Sequence, residues 1–163
     1  MSVSRRAVFL GFFALSVGAL GVAYGFQFAG LKPCALCLYQ RLPYGLAAGI
    51  ALLAFLFRPE ARAASGLCLV LALLFLGNAG LASYHVGVEQ GWFTLSAACA
   101  GGGESESLEM LRQSLRATEP ARCDEVPWAL FGISIAGFNA LASLALAASA
   151  LWAARILRKG SNP

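Results

Sequence analysis

Cys34-Ala35-Leu36-Cys37 sets two thiols three residues apart, with Lys32-Pro33 before them and Arg41 after. That spacing falls on one helical face, and such a pair can close a reactive disulfide. A cysteine early in a helix has its thiolate stabilised by unpaired backbone N–H groups and the helix dipole. Arg41 follows Cys37 by one helical turn, so it extends the same face and adds a fixed cation beside a Cys37 thiolate. Taken alone, the motif also fits a structural disulfide or half of a metal site. Haem attachment is disfavoured because Leu38 stands where that motif needs histidine. A second pair, Cys99 and Cys123, lies in the one long polar segment, with the flexible run Ala100-Gly101-Gly102-Gly103 beside Cys99. This pair reads either as a staple of that segment or as an exchangeable disulfide, since exchange requires thiolate access to a sulfur. Several connectivities among these cysteines stay open. His85 is the single histidine. It reads as an interfacial ring bonded to backbone, or as a donor for a polar head inside the membrane. Cys68 reads as a small packing residue. No metal site is expected, because the same side offers one histidine and no ligand grouping beyond Cys34 and Cys37.

The elements that must carry these residues follow from composition. Of 163 residues, 59% are hydrophobic and 12% charged, and the mean hydropathy is +0.71. That is the balance of a membrane protein. The expected fold is all-α: a single integral membrane domain over 1–163, with four transmembrane helices in one bundle. The spans fall at roughly 7–30, 38–57, 63–86 and 128–154, each near the ~20 residues that cross a bilayer core. The outer loops fall at roughly 31–37 and 87–127. Pro33 suits a first helical turn. Pro43 disfavours helical geometry at Leu42, which suggests a separate short turn for the cysteine motif. In the second loop, Ser105–Ala117 reads as a short amphipathic helix with Leu108, Leu111 and Leu115 on one side. Tyr39, Tyr44 and Tyr84 read as interface anchors.

The net charge of +4 does not point to nucleic acid, because the basic residues sit at helix ends rather than on one soluble face. Arg5, Arg6, Arg58, Arg62, Arg155, Arg158 and Lys159 share one side of a four-span chain, and that side is expected to be cytoplasmic. Both termini are then cytoplasmic, and Cys34, Cys37, Cys99 and Cys123 face the oxidising side, where disulfides persist. The first apolar run, about 25 residues, exceeds the h-region of a signal peptide, so it reads as a retained helix.

The run Pro33-Cys34-Ala35-Leu36-Cys37-Leu38-Tyr39-Gln40-Arg41, then Tyr84-His85, then an outer-loop cysteine pair, all within four spans, resembles the DsbB family of quinone-dependent disulfide-forming membrane proteins. The resemblance covers nearly the whole chain. It implies a thiol:quinone oxidoreductase of the bacterial inner membrane that reoxidises a periplasmic DsbA-like thiol oxidase and passes electrons to ubiquinone or menaquinone, and so to the respiratory chain. It implies that Cys34 and Cys37 form the quinone-proximal pair and that Cys99 and Cys123 form the pair that meets the soluble oxidase. Arg41 and His85 match the family's quinone-site residues. Glu89 stands where some relatives carry a neutral glutamine. In the implied relay the oxidase attacks Cys99, Cys123 attacks Cys34, and Cys37 leaves as a thiolate that feeds the quinone. The rival reading is a non-enzymatic four-helix membrane scaffold with structural disulfides.

Overall fold

A computed structural model describes residues 4–94 and 121–159. Its helices are α1 (Arg5–Phe28), α2 (Ala35–Tyr39), α3 (Arg41–Phe57), α4 (Ala61–Glu89) and α5 (Ile135–Lys159). A two-stranded hairpin, β1 (Ala129–Leu130) and β2 (Ile133–Ser134), precedes α5. Four segments are long and apolar enough to cross a membrane: α1, α2 with α3 taken together, α4, and α5. The chain is a four-helix, multi-pass membrane bundle.

Local chemistry explains where the helices stop. After α1, Gly30 adopts φ +98°, Leu31 N–H reaches Phe26 O and Gly30 N–H reaches Gln27 O. After α4, Gly91 at φ +73° allows the same pair of bonds, Trp92 to Gly87 and Gly91 to Val88. Both are Schellman ends, which satisfy the last carbonyls through a left-handed residue that glycine adopts without strain. Ser134 begins α5 by accepting from Gly137 N at 3.1 Å, as an N-cap does.

Between helices in lipid, close packing and hydrogen bonds replace the hydrophobic effect as the source of cohesion. Small side chains let the backbones approach: Ala47, Ala51, Ala64, Ala72, Ala147 and Ala150 are buried at the helix contacts. The α4–α5 interface is the most extensive, and Ser65 Oγ donates across it to Ala154 O at 2.9 Å. Cys68 lies fully buried in this apolar core, consistent with a packing role. At the same end of the bundle, the Arg5 guanidinium donates to Pro59 O at 2.8 Å, so the basic N-terminus and the α3–α4 link share one side.

Two local expectations change and one holds. Pro33 is not in a first turn. Cys34 is the extended N-cap of α2, with φ −78° and ψ 172°, and its sulfur accepts from Cys37 N. The separate turn foreseen from Pro43 is the five-residue α2; Pro43 itself sits in the first turn of α3, where a missing N–H costs no intrahelical bond. The last span does not begin near 128. Phe131 (φ 52°) and Gly132 (φ 78°) close a tight turn, Ala129 pairs with Ser134, and the helix starts only at Ile135. The proposed helix at 105–117 lies outside the described residues.

Candidate active site

The cysteine motif is held at a junction of three segments. Cys34 makes an isolated parallel bridge with Ala121, which explains its extended backbone and draws the segment carrying Cys123 against α2. Cys34, Leu36, Val88 and Cys123 form one buried cluster. Arg122 and Asp124, on either side of Cys123, are joined by a two-pronged pair at 3.0 and 2.8 Å. The guanidinium holds the Asp124 carboxyl below the usual carboxylate range. Cys99 lies outside the described residues.

Cys34 Sγ donates to Cys37 Sγ at 2.9 Å. That bond, together with burial, raises the Cys34 pKa well above that of an ordinary thiol. Cys34 is therefore the thiol of the pair that keeps its proton. Cys34 is buried and Cys37 half-buried. When the reduced protein is exposed briefly to iodoacetamide near neutral pH, Cys37 should be modified before Cys34 by more than ~10-fold, because the thiolate is the nucleophile. The gap should persist as pH rises, because Cys34 keeps its proton while Cys37 bears the charge; peptide mass spectrometry of the quenched sample reads both sites. Cys34, Cys37 and His85 bring three possible metal ligands within 4.8 Å of one another. Two thiolates on one tetrahedral zinc, at ~2.3 Å from the ion, stand ~3.8 Å apart. Sulfurs 2.9 Å apart are arranged for a bond to each other rather than for a shared ion.

His85 reaches the motif from α4. It is only 3% exposed, with Nε2 3.6 Å from Cys34 Sγ and Nδ1 3.0 Å from Gln40 Nε2. The ring also hydrogen-bonds the Cys123 backbone. Glu89, one turn further along α4, buries its carboxylate with Oε1 3.9 Å from His85 Nε2 and accepts a short hydrogen bond from Ser134 Oγ. The helix-capping serine of α5 is thereby tied to the end of α4.

Arg41 approaches from α3. Its guanidinium donates to Gln27 Oε1 at 2.7 Å and Ala23 O at 3.4 Å and lies over the Tyr24 ring, 4.6 Å from the centroid. Cys37, Arg41 and His85 line one cavity of about 460 Å³. Its apolar walls include Leu20, Ala23 and Phe26 of α1, with Trp128, Leu130 and Phe138 opposite. The Phe26 and Trp128 rings are 5.4 Å apart. The arrangement places a dithiol, a fixed cation and an imidazole on one greasy cleft, a size and lining suited to a flat apolar molecule with polar edges.

The residues expected from sequence thus meet, with Cys99 alone undescribed. Gln27, Gln40 and Asn139 also line the cavity, and the sequence reading passed over them. Their signal was polarity within apolar runs, which in a membrane marks function or pairing. Tyr44 is a correction. It is no interface anchor but is buried, with its hydroxyl 2.7 Å from Asn139 Oδ1, because α3 turns it into the bundle.

The family model for Disulfide bond formation protein DsbB matches residues 5–153. The chain is 34% identical over 149 residues to disulfide bond formation protein B of Aromatoleum aromaticum, covering 83% of this chain and 84% of that one. The protein of the same name from Xanthomonas axonopodis pv. citri is 31% identical over 165 residues, covering 97% and 95%. That of Hahella chejuensis is 30% identical over 165 residues, covering 96% and 95%. No solved structure matches. With a family match across nearly its whole length, and a dithiol buried at the end of four apolar helices, the chain belongs to the DsbB family of membrane disulfide-forming oxidoreductases.

Proposed function

We propose that this protein is a thiol:quinone oxidoreductase of the bacterial inner membrane, with termini in the cytoplasm and redox cysteines in the periplasm. The observation that carries the reading is the shared cavity, in which Cys37, Arg41 and His85 meet while Cys34 faces the Cys123 segment. One sulfur of the pair looks to the cleft and the other to the loop.

A thiolate of a reduced DsbA-like oxidase attacks Cys99 of a Cys99–Cys123 disulfide and releases Cys123. Cys123 attacks Cys34 of the Cys34–Cys37 disulfide and releases Cys37 as a thiolate. The second thiol of the oxidase then resolves its mixed disulfide and frees Cys99. Cys99 recaptures Cys123 and releases Cys34. The inner pair now carries the two electrons taken from the oxidase, and closing it again surrenders those electrons and the protons of the two thiols. A ubiquinone- or menaquinone-class molecule supplies the sink for them when bound. Arg41 supplies positive charge beside the Cys37 thiolate and at the polar edge of the cleft, His85 supplies a donor, and the aromatic walls exclude water. Burial of Cys34 against Cys123 keeps the exchange short-ranged, as in-line attack on a sulfur requires.

Thiol trapping tests the reading against the scaffold alternative. In membranes given reduced oxidase but no electron acceptor, the loop and inner cysteines are expected to accumulate as thiols, and added quinone should return them to disulfides. Cysteines that stay oxidised in both conditions would identify structural staples and overturn it.

A further inference from the structure

His85 is held from its far side by a chain of amides and hydroxyls, and the donors and acceptors in that chain can be assigned. Asn139 Nδ2 donates to Gln40 Oε1. Gln40 therefore presents its Nε2 to His85 Nδ1, at 3.0 Å. An amide N–H only donates, so Nδ1 is the accepting, bare nitrogen of the ring. Two groups set the orientation of Asn139. Its Oδ1 accepts from the Tyr44 hydroxyl at 2.7 Å and faces Asn78 Nδ2 at 3.5 Å. Asn78 is anchored in turn by donating to Ser143 Oγ at 2.9 Å. The donations from Tyr44 to Asn139, from Asn139 to Gln40 and from Gln40 to His85 run from the middle of the bundle toward the cysteines. The chain joins α3, α4 and α5, and its members Asn78, Ser143 and Tyr44 are buried.

We propose that Asn139 and Gln40, oriented by Tyr44 and Asn78, are positioning residues that lock uncharged His85 in the tautomer carrying its proton on Nε2. The other ring nitrogen decides which one bears the proton. Here that choice places an N–H 3.6 Å from Cys34 Sγ, in a ring that also bonds the Cys123 backbone. A hydrogen-bond donor then stands beside the sulfur that Cys99 displaces from Cys123 in the last exchange, without a second full charge beside Arg41 in the same cleft. The consequence for turnover rests on the thiol:quinone reading; the tautomer itself does not.

The test exploits the single histidine of the chain. Protein labelled with ¹⁵N-histidine, its affinity tag removed, displays one imidazole by NMR, whose two nitrogens report directly which is protonated. No quinone or partner is needed, so a failure here is distinct from a failure of the proposed function. The expected result for the native protein is a protonated Nε2 and a bare Nδ1. In Asn139→Leu the Gln40 amide is free to turn, and the proton should be shared between the two nitrogens. In Gln40→Glu, a carboxylate held ionised by the Asn139 N–H accepts on both oxygens, so Nδ1 should gain a proton. Quinone-dependent kcat of Asn139→Leu should fall ~10-fold, the scale on which supporting residues around a reactive group act, while KM for the oxidase stays unchanged. A native protein protonated on Nδ1 would overturn the proposal, as would an unaltered tautomer in Asn139→Leu. If that variant does not fold, an unaltered ring in Gln40→Glu overturns it instead.

Discussion

Replacing Cys37 with serine is expected to lower quinone-dependent oxidation of the soluble partner by at least ~10³-fold, the order seen when a nucleophile is removed from a machine whose parts act as a unit. Among the described residues Cys37 is the only cysteine lining the cavity, and its neighbour Cys34 has no inner disulfide to close once Cys37 is gone. Serine matches its shape closely but can neither form the inner disulfide nor hold a thiolate. Cys34 would still face the Cys123 segment in the buried cluster. The early exchange steps would then have nowhere to send their electrons, and covalent complexes with the partner should build up. Steady-state assay of purified protein with reduced oxidase and a soluble quinone reads the first effect, and non-reducing gels read the second. Cys68→Ala is the control. Cys68 is fully buried among the packing residues of the bundle, remote in role from the cleft, and its replacement should leave the rate unchanged. Normal turnover of Cys37→Ser would remove the inner pair from the electron path.

Much of this architecture is legible along the chain because it is encoded locally. Four apolar runs announce the spans, and the Cys-x-x-Cys spacing with Arg41 one turn on announces the reactive face. What escapes is either long-range or disguised. The Asn139–Gln40 bond joins residues far apart in sequence, and nothing near either one names its partner. The bridge between Cys34 and Ala121 is equally non-local, yet it brings the segment carrying Cys123 against the inner pair. The hairpin before α5 is disguised by its own composition. Ala129, Leu130, Phe131 and Ile133 are as apolar as a helix surface in lipid, so hydropathy runs straight through them. Only Gly132, within a stretch opened by Pro127, signals the turn. Tyr44 escapes for a related reason. A tyrosine near a helix end suits the interface, and only the packing of α3 against α4 turns its hydroxyl inward to Asn139.

Arg41→Ala is expected to raise the apparent KM for quinone by roughly 10- to 100-fold, the range corresponding to loss of a charged hydrogen bond worth ~1.5–3 kcal/mol. The position of the guanidinium is unusually well determined for a surface-facing side chain. Gln27 Oε1 takes one N–H at 2.7 Å, Ala23 O takes another at 3.4 Å, and the Tyr24 ring lies beneath. All three supports belong to α1, so α1 holds the cation in place even though α3 carries it. Lysine retains the charge but neither the planar fork nor the stacking, and Arg41→Lys should therefore fall between native and alanine rather than match the native protein. In the proposed relay, exchange with the soluble oxidase runs through Cys99, Cys123 and Cys34, whereas the Arg41 guanidinium is held against Gln27, Ala23 and Tyr24 of α1. KM for the oxidase should accordingly move less than twofold, a change within the noise of surface substitutions. Varying quinone at saturating oxidase, and oxidase at saturating quinone, separates the two. Equal losses on both axes would mean that Arg41 supports the fold of the α1–α3 pair rather than the cleft, and unchanged quinone kinetics would remove it from the site altogether.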